Sequence, residues 1–162
     1  MSTTPSREHH FESRLVWTGA RHGGTTNYET YSREYRVDIP GKVSFRGSSA
    51  AAFRGDPNLA NPEDLLVAAL SACHFLSYLA YCARDGVNVV AYEDNASGTM
   101  QRVERVTKFT EVVLKPRVTV APGSDVEKAK ALHEKAHHAC FIANSVNFPV
   151  RNEPEILVAA TA

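Results

Sequence analysis

The longest apolar run of the chain lies at residues 61–86 and predicts a single long helix. Asn61 is a favourable N-cap, Pro62 suits the first helical position, and Gly86 is a typical C-terminal stop. The 19 positions of Leu65–Ala83 contain no charged residue. Such a helix must be buried on nearly all sides or lie in a membrane. Because the run contains histidine, serine and tyrosine and has no flanking basic cluster, we favour the central helix of a soluble, oligomeric protein and no membrane association.

The rest of the chain shows the alternation of half-buried strands, separated by turns and one further helix. A capping box at residues 124–127 opens that second helix, which runs to about Cys140. Pro116 predicts an edge or a bulge in the strand that contains it. The order of elements is that of an α+β fold. The predicted strands are residues 14–18, 28–39, 42–46, 87–93, 96–106, 109–120 and 148–158.

Length and charge restrict the classes of function. At 162 residues, we expect a flexible tail at residues 1–13 and a single domain at residues 14–162. The 18 basic and 18 acidic residues balance, so no electrostatic surface for nucleic acid is expected. The N-terminus has no apolar core of a secretory signal, and an odd number of cysteines does not suggest a disulfide framework. We therefore expect a cytoplasmic protein.

Three cysteines are the first candidates for chemistry, although a free cysteine is most often a small buried hydrophobe. Cys73 and Cys82 are nine residues apart on the long helix, so they point to opposite faces about 13 Å apart along its axis. Cys140 ends the second helix and would meet Cys73 if the two helices pack together. In a thiol enzyme the working pair is therefore Cys73 with Cys140, and Cys82 is a bystander.

A reactive thiolate also needs a nearby positive charge. The candidates are Arg54, Arg46 and Arg21, all predicted in loops or turns, and Glu63 is suited to hold one of them in a bidentate pair. Ten residues of helix separate Glu63 from Cys73 by about 15 Å within one chain. Glu63 would reach the thiol of a second copy if two such helices cross antiparallel. This geometry favours a dimeric site.

A competing motif lies on the second helix. His133, Glu134 and His137 form a literal H-E-x-x-H, in which the histidines would bind zinc, Glu134 would act as a general base, and His138 or Cys140 would supply a third ligand. By periodicity, His133 lies near the apolar stripe while Glu134 faces solvent. We favour a partly exposed helix face without metal. His74 is expected to serve packing or a hydrogen bond, because it points about 100° away from Cys73.

The N-P-E-D-L-L stretch at residues 61–66 and the S-A-C-H stretch at residues 71–74 resemble the N-P-E-x-L…A-x-x-x-C signature of the OsmC/Ohr family. These are the osmotically inducible protein C and organic hydroperoxide resistance proteins. Cys140, with the segment that follows it, is similar to the second-cysteine motif of the family. The resemblance implies an OsmC-like α+β fold with antiparallel sheets around a long, buried central helix. It also implies an intertwined homodimer with two active sites at the subunit interface.

The same resemblance implies a thiol peroxidase that acts on organic hydroperoxides without a metal or other cofactor. Cys73 would be oxidised to a sulfenic acid, Cys140 would resolve it as a disulfide, and an arginine held by Glu63 would stabilise the leaving alkoxide. Arg54 best matches the OsmC-type position of this arginine, and Arg21 the Ohr-type position. A dithiol reductant, either a lipoylated or a thioredoxin-like protein, would recycle the enzyme.

One departure from the family pattern concerns the second cysteine. The second cysteine of the family is commonly followed by Pro, then Val or Ile, then Ser. In this chain Cys140 is followed by Phe141, Ile142 and Ala143. This puts the exposure of Cys140 and its rate as a resolving thiol into question. The alternatives to a peroxidase are a non-catalytic relative that binds a small apolar ligand and, further off, a zinc hydrolase that uses His133 and His137.

Overall fold

The structure, a computed structural model, describes residues 8–161. The first of two compact units ends at Pro62 and the second begins at Glu63. Of the predicted tail, residues 8–13 are exposed and adopt neither helix nor strand, and residues 1–7 lie outside the described residues. The single domain expected over residues 14–162 stays a prediction.

The first unit contains one antiparallel sheet. Its order is β1 (Arg14–Val16), β2 (Tyr35–Asp38) and β3 (Ser44–Gly47). The predicted strand over residues 28–39 is wrong in its first half, because Arg33 folds that segment back on itself. The Arg33 guanidinium donates to the carbonyl oxygens of Tyr28 at 2.7 Å and Tyr31 at 2.9 Å, and it lies 3.9 Å from the centre of the Tyr31 ring. These local bonds replace the pairing that a strand would need.

The loop before the long helix is built around a glycine. A Cβ on Gly55 would lie 1.5 Å from the carbonyl oxygen of Ser49, so no other residue fits the observed backbone. The Gly55 amide donates to the Ala50 carbonyl at 3.1 Å, and the Asp56 amide donates to Oγ of Ser48 at the same distance. These two hydrogen bonds join residues after Arg54 to residues before it, so the loop is closed around Arg54.

The long helix α1 (Pro62–Arg84) forms as predicted, with Glu63 and Asp64 in its first turn and Gly86 at φ 76° after its end. Within this chain it buries a single stripe of residues at four-residue spacing, Leu70, His74, Tyr78 and Cys82. Burial on nearly all sides is therefore not achieved by one chain. By length and composition α1 is the one helix of the described residues that could cross a membrane, and only 22% of its most apolar window is buried. Core helices of soluble proteins pass the same test.

Two three-stranded sheets complete the second unit, with the orders β4-β7-β9 and β5-β6-β8. The strands are β4 (Val89–Asp94), β5 (Ser97–Val103), β6 (Val106–Leu114), β7 (Pro116–Val120), β8 (Val150–Asn152) and β9 (Glu155–Val158). The predicted strand over residues 109–120 is two strands that part at Lys115 and enter different sheets. The predicted last strand is likewise two, and they pair in parallel with β6 and β7. The α+β class is confirmed, with mixed sheets where purely antiparallel ones were predicted.

The second helix, α2 (Val126–Ala139), begins one residue from the predicted cap. Asp125 is the N-cap, and its side chain accepts a hydrogen bond from the Lys128 amide at 2.9 Å. The buried positions Ala129, Leu132 and Ala136 pack with α1 and β7 into one core cluster. A second cluster is centred on Leu70, Val112 and Leu114. His74 lies one helical turn from a residue of each cluster.

Candidate active site

The structure brings together the two thiols that the sequence singled out. Cys73 lies half-buried in the middle of α1, Cys140 is buried at the C-terminal cap of α2, and the two thiols are close enough for Cys73 to raise the pKa of Cys140. No disulfide joins any of the three cysteines, which all lie in the described part of the chain. Cys82 is buried elsewhere on α1, in contact with the side chain of Tyr78. Two thiols in direct contact are arranged for disulfide chemistry.

Cys140 is held in its protonated form. Burial raises the pKa of the Cys140 thiol to about 11, with a further contribution from the hydrogen bond to Cys73, and the amides of Ala143 and Ile142 partly oppose the shift. The Ala143 amide donates to Sγ of Cys140 at 3.4 Å. At neutral pH Cys140 therefore offers an S–H donor to the sulfur of Cys73.

The segment after Cys140 departs from the family pattern but is well fixed. The Asn144 side-chain amide donates to the carbonyl oxygens of His138 at 2.9 Å and Cys140 at 3.0 Å, and residues Ala143–Ser145 form a 3₁₀ turn. Cys140 is 1% exposed, whereas Phe141 is 82% exposed. These bonds were not predictable from the order of residues. The turn shields the thiol of Cys140 and turns an aromatic ring towards solvent.

Two of the three candidate arginines converge on Glu34 in the first unit. Arg46 pairs with the Glu34 carboxylate at 2.9 Å and Arg21 at 3.3 Å. The hydrogen bond from Arg46 lowers the pKa of Glu34, with smaller contributions from the charges of Arg46 and Arg21 and from Thr18. Each of these arginines is therefore committed to a carboxylate that it shares with the other.

Arg54 is placed differently. It adopts a left-handed backbone conformation at φ 63° and forms an ion pair with Glu29 at 2.9 Å. Both side chains are about half exposed, at 47% for Arg54 and 62% for Glu29, and exposed ion pairs are weak. The sequence did not single out Glu29 and Glu34, because both lie in the segment that its alternation wrongly predicted to be one continuous strand.

Glu63 lies in the first turn of α1 and is half-buried. Its Oε2 atom is buried and has no hydrogen-bond partner among residues 8–161. An unpaired, buried carboxylate oxygen is costly and creates a preference for a positively charged donor.

The H-E-x-x-H residues do not assemble a metal site. His133 is turned inwards, and its Nδ1 lies 2.9 Å from Nε2 of His74, while the exposed Glu134 pairs with His138 at 3.1 Å. In the described residues no three His, Cys, Asp or Glu side chains form a group that would hold a metal ion. The solvent-facing position expected for Glu134 and the hydrogen-bonding role expected for His74 are both observed.

The comparisons with known proteins agree with this fold. The family model described as OsmC-like protein matches residues 55–155, more than half of the chain. The chain therefore belongs to the OsmC-like protein family.

Similar proteins extend over nearly the whole chain. The solved structure of an OsmC-like protein of unknown function from Vibrio cholerae is 30% identical, with a TM-score of 0.83 over 91% of this chain and 100% of that one. The organic hydroperoxide resistance protein of Elizabethkingia anophelis shares the fold at 20% identity, with a TM-score of 0.69 over 94% of this chain and 99% of its own. The uncharacterized YmaD protein of Bacillus subtilis is 23% identical over 154 residues, which are 93% of this chain and 95% of YmaD.

Proposed function

We propose that this protein is a thiol peroxidase that reduces organic hydroperoxides through a two-cysteine cycle. The contact between the thiols of Cys73 and Cys140 carries the proposal. Structural neighbours named organic hydroperoxide resistance proteins, from Elizabethkingia anophelis and Bacillus subtilis, support it.

In the first step the Cys73 thiolate attacks the outer oxygen of the hydroperoxide. The O–O bond breaks, Cys73 becomes a sulfenic acid, and the alkoxide leaves and takes a proton from solvent to become an alcohol. In the second step Sγ of Cys140 attacks Sγ of Cys73. Its proton and the sulfenic hydroxyl leave together as water, and a disulfide remains. The cysteine pair is thereby oxidised by two electrons and the peroxide is reduced by two.

The protonated state of Cys140 serves the second step. Before reaction its S–H is directed towards the Cys73 sulfur. After the sulfenic acid forms, the same proton is in place to leave with the hydroxyl. Because Cys140 is buried in direct contact with Cys73, resolution requires no movement of α2.

Arg54 and Glu63 are proposed as the groups that stabilise the developing negative charge. Arg54 is chosen over Arg21 and Arg46 because its ion pair with Glu29 is exposed and unshared, so it is the most easily released of the three arginines. The orphaned Oε2 of Glu63 is suited to receive and hold a guanidinium group. The arginine would then donate to the leaving alkoxide oxygen.

The proposed active form is a homodimer in the cytoplasm. α1 leaves an apolar stripe exposed that includes Leu65 at 37% and Leu76 at 65% exposure, and a second copy would cover it. The apolar surroundings of α1 suit an alkyl or aryl hydroperoxide. The disulfide would be returned to thiols by a dithiol reductant, a lipoylated or a thioredoxin-like protein, and no cofactor takes part in the cycle.

The test is intact mass spectrometry of the reduced protein before and after about one equivalent of cumene hydroperoxide, followed by peptide mapping. We expect the loss of two hydrogens and a crosslink between Cys73 and Cys140. Cys73→Ser should show neither mass loss nor peroxide consumption, and Cys82→Ser serves as the matched control that keeps the pair. Free thiols and unconsumed peroxide after this treatment would leave a ligand-binding protein on the same fold.

A further inference from the structure

A second side-chain pair joins the helices that carry the thiols. The imidazoles of His74 on α1 and His133 on α2 are hydrogen-bonded at 2.9 Å, and they are only 1% and 3% exposed. Their rings lie nearly parallel, at an interplanar angle of 11°. The Tyr78 ring stacks on His133 with the centroids 3.8 Å apart, and its hydroxyl donates to the Ala129 carbonyl at 3.0 Å. The pair is thus fixed in orientation from both helices.

Packing alone does not account for two histidines at this place. A neutral imidazole has one donor and one acceptor nitrogen, so whichever ring donates, one outer nitrogen carries a proton and the other is bare. These outer atoms, Nδ1 of His74 and Nε2 of His133, are buried and have no hydrogen-bond partner in the described part of the chain. Two apolar rings would fill the space without unpaired polar atoms. The two histidines supply a hydrogen bond instead, and this bond restricts the relative orientation of the two rings.

The position of this bond relates it to the thiols. His74 follows Cys73 directly on α1, and His133 precedes Cys140 by seven residues, which is two turns of α2 and hence the same face. The imidazole contact and the thiol contact are therefore separated by about 10 Å along α2. The Tyr78–Ala129 hydrogen bond and the shared core also hold α2 on α1, but His133 lies nearer to Cys140 along α2 than Ala129 does, so the imidazole bond fixes the rotation of the helix closest to the thiols.

We propose that the His74–His133 hydrogen bond is a positioning clamp for the thiol pair, which holds α2 in the rotation that brings Cys140 to Cys73. The inference rests on the two-cysteine part of the proposed function, and it does not depend on which oxidant acts. Both histidines are positioning residues, because neither touches the sulfurs in the arrangement described.

Protonation should release the clamp. A first added proton binds the bare outer nitrogen and leaves the inner N–H and its acceptor in place. Only when both imidazoles are protonated do two N–H groups face each other, and the hydrogen bond is then lost. The titratable groups that face the pair or its stacked tyrosine are Asp94 and Tyr92 of β4, Tyr78 and Cys82 of α1, and His137 of α2. The charge of Asp94 favours protonation of His74, while His137 opposes it.

The first test measures disulfide closure without peroxide, using diamide, which takes up the two hydrogens of the thiols. The variants are His133→Phe, which keeps the ring and removes the bond, and the double variant His74→Gln with His133→Asn, whose amides restore it. His138→Asn is the exposed control. We expect closure of the Cys73–Cys140 disulfide to slow by about tenfold or more in His133→Phe and to recover to near the wild-type rate in the double variant. Closure at the wild-type rate in a folded His133→Phe protein overturns the proposal.

The second test uses the unaltered protein and so does not depend on a variant that folds. If the imidazole bond favours the thiol contact, the thiol contact must favour the imidazole bond by the same factor. Imidazole NMR titration should therefore show that the second proton taken up by the His74–His133 pair binds at lower pH in the disulfide form than in the reduced form. Identical titrations in the two forms overturn the proposal, as does a failure of diamide to form the Cys73–Cys140 disulfide. A protein that closes this disulfide but ignores hydroperoxides would contradict the peroxidase proposal and leave the clamp in place.

Discussion

The Ala143 amide donates a hydrogen bond to Sγ of Cys140 over 3.4 Å, so this sulfur is fixed by the turn that follows it as well as by its contact with Cys73. Ala143, one of the residues that depart from the family pattern, begins this turn. Cys140 is therefore held in a fixed position although the proline usual in the family is absent after it. Cys140 is also reachable mainly from Cys73, because its side chain is buried.

Removal of Cys140 should trap the first intermediate of the cycle. In Cys140→Ser we expect one turnover of organic hydroperoxide, followed by a Cys73 sulfenic acid that is slowly overoxidised to the sulfinic acid, because no thiol lies beside it to condense. Steady-state activity with a dithiol reductant should fall by about tenfold or more. Dimedone labelling with mass spectrometry measures the sulfenic acid. Undiminished turnover in this variant would show that the resolving thiol is supplied by the reductant.

Substitution of the three arginines should distinguish their roles. In Arg54→Asn, where asparagine tolerates the left-handed backbone, oxidation of Cys73 by peroxide should slow by about 10²–10³-fold, the usual effect of losing one charge-stabilising donor. Arg21→Asn and Arg46→Asn each leave Glu34 with one arginine partner, and we expect less than about a tenfold effect. Stopped-flow measurement of peroxide consumption provides the rates. A normal rate in Arg54→Asn with a slow rate in either control would move the role to that arginine.

Acid should destabilise the protein at pH values well above those at which carboxylates titrate. Burial lowers the pKa of His74 to about 4 and that of His133 to about 3, from an ordinary value of 6.5, so the unfolded chain binds protons that the folded chain excludes. The stabilisation is fully present above pH 6.5. As the pH falls from there towards 4, the free energy of unfolding should drop by about 1.4 kcal/mol per pH unit for each histidine.

Urea unfolding between pH 7.5 and 4.5 measures this dependence. The double variant His74→Gln with His133→Asn is the control, because its amides do not titrate, and its stability should change much less over the same range. Equal slopes for the two proteins would mean that the histidines already bind protons in the folded state.

The exposed stripe of α1 should determine the oligomeric state. Leu76→Glu places a charge on this stripe, so we expect the proposed dimer to dissociate into monomers. Because Leu76 is 65% exposed within its own chain, the fold of each chain should persist. Val106→Glu is a matched control at a 59% exposed apolar position of β6. Light scattering reports the mass, and a Leu76→Glu protein that keeps the wild-type mass would place the interface elsewhere.

Local patterns predicted the helices of this protein well. The uncharged run of α1 is bounded by a proline and a glycine, and the stripe of α2 repeats at helical spacing, so each helix is specified by its own residues. The boundaries of the strands were predicted less accurately than those of the helices. Alternation continues across Lys115 without interruption, and the two strands are separated by their pairing partners, which are β5 and β8 for β6 but β4 and β9 for β7. Tertiary pairing of this kind leaves no local signal.

The site was predictable to the same extent. Helix geometry allowed Cys140 to meet Cys73 if the two helices pack together, the resemblance to OsmC proteins implied the same pair, and the structure has the two thiols as neighbours, while their catalytic roles stay a prediction. The partners of the charged and polar groups were not predictable. The H-E-x-x-H motif relates His133 to Glu134 and His137, whereas its hydrogen-bond partner is His74, 59 residues away. Glu29 and Glu34 pair with arginines through loop geometry that no spacing rule describes.

The parallel pairing of β8 with β6 and of β9 with β7 also bears on how the protein is made. Two sheets each lack a strand until residues 150–158 have left the ribosome, although both helices and both cysteines of the pair are synthesised earlier. During translation the two thiols are thus present on a chain whose sheets are still open. A reducing compartment protects such a nascent chain from forming the wrong disulfide before its last strands arrive.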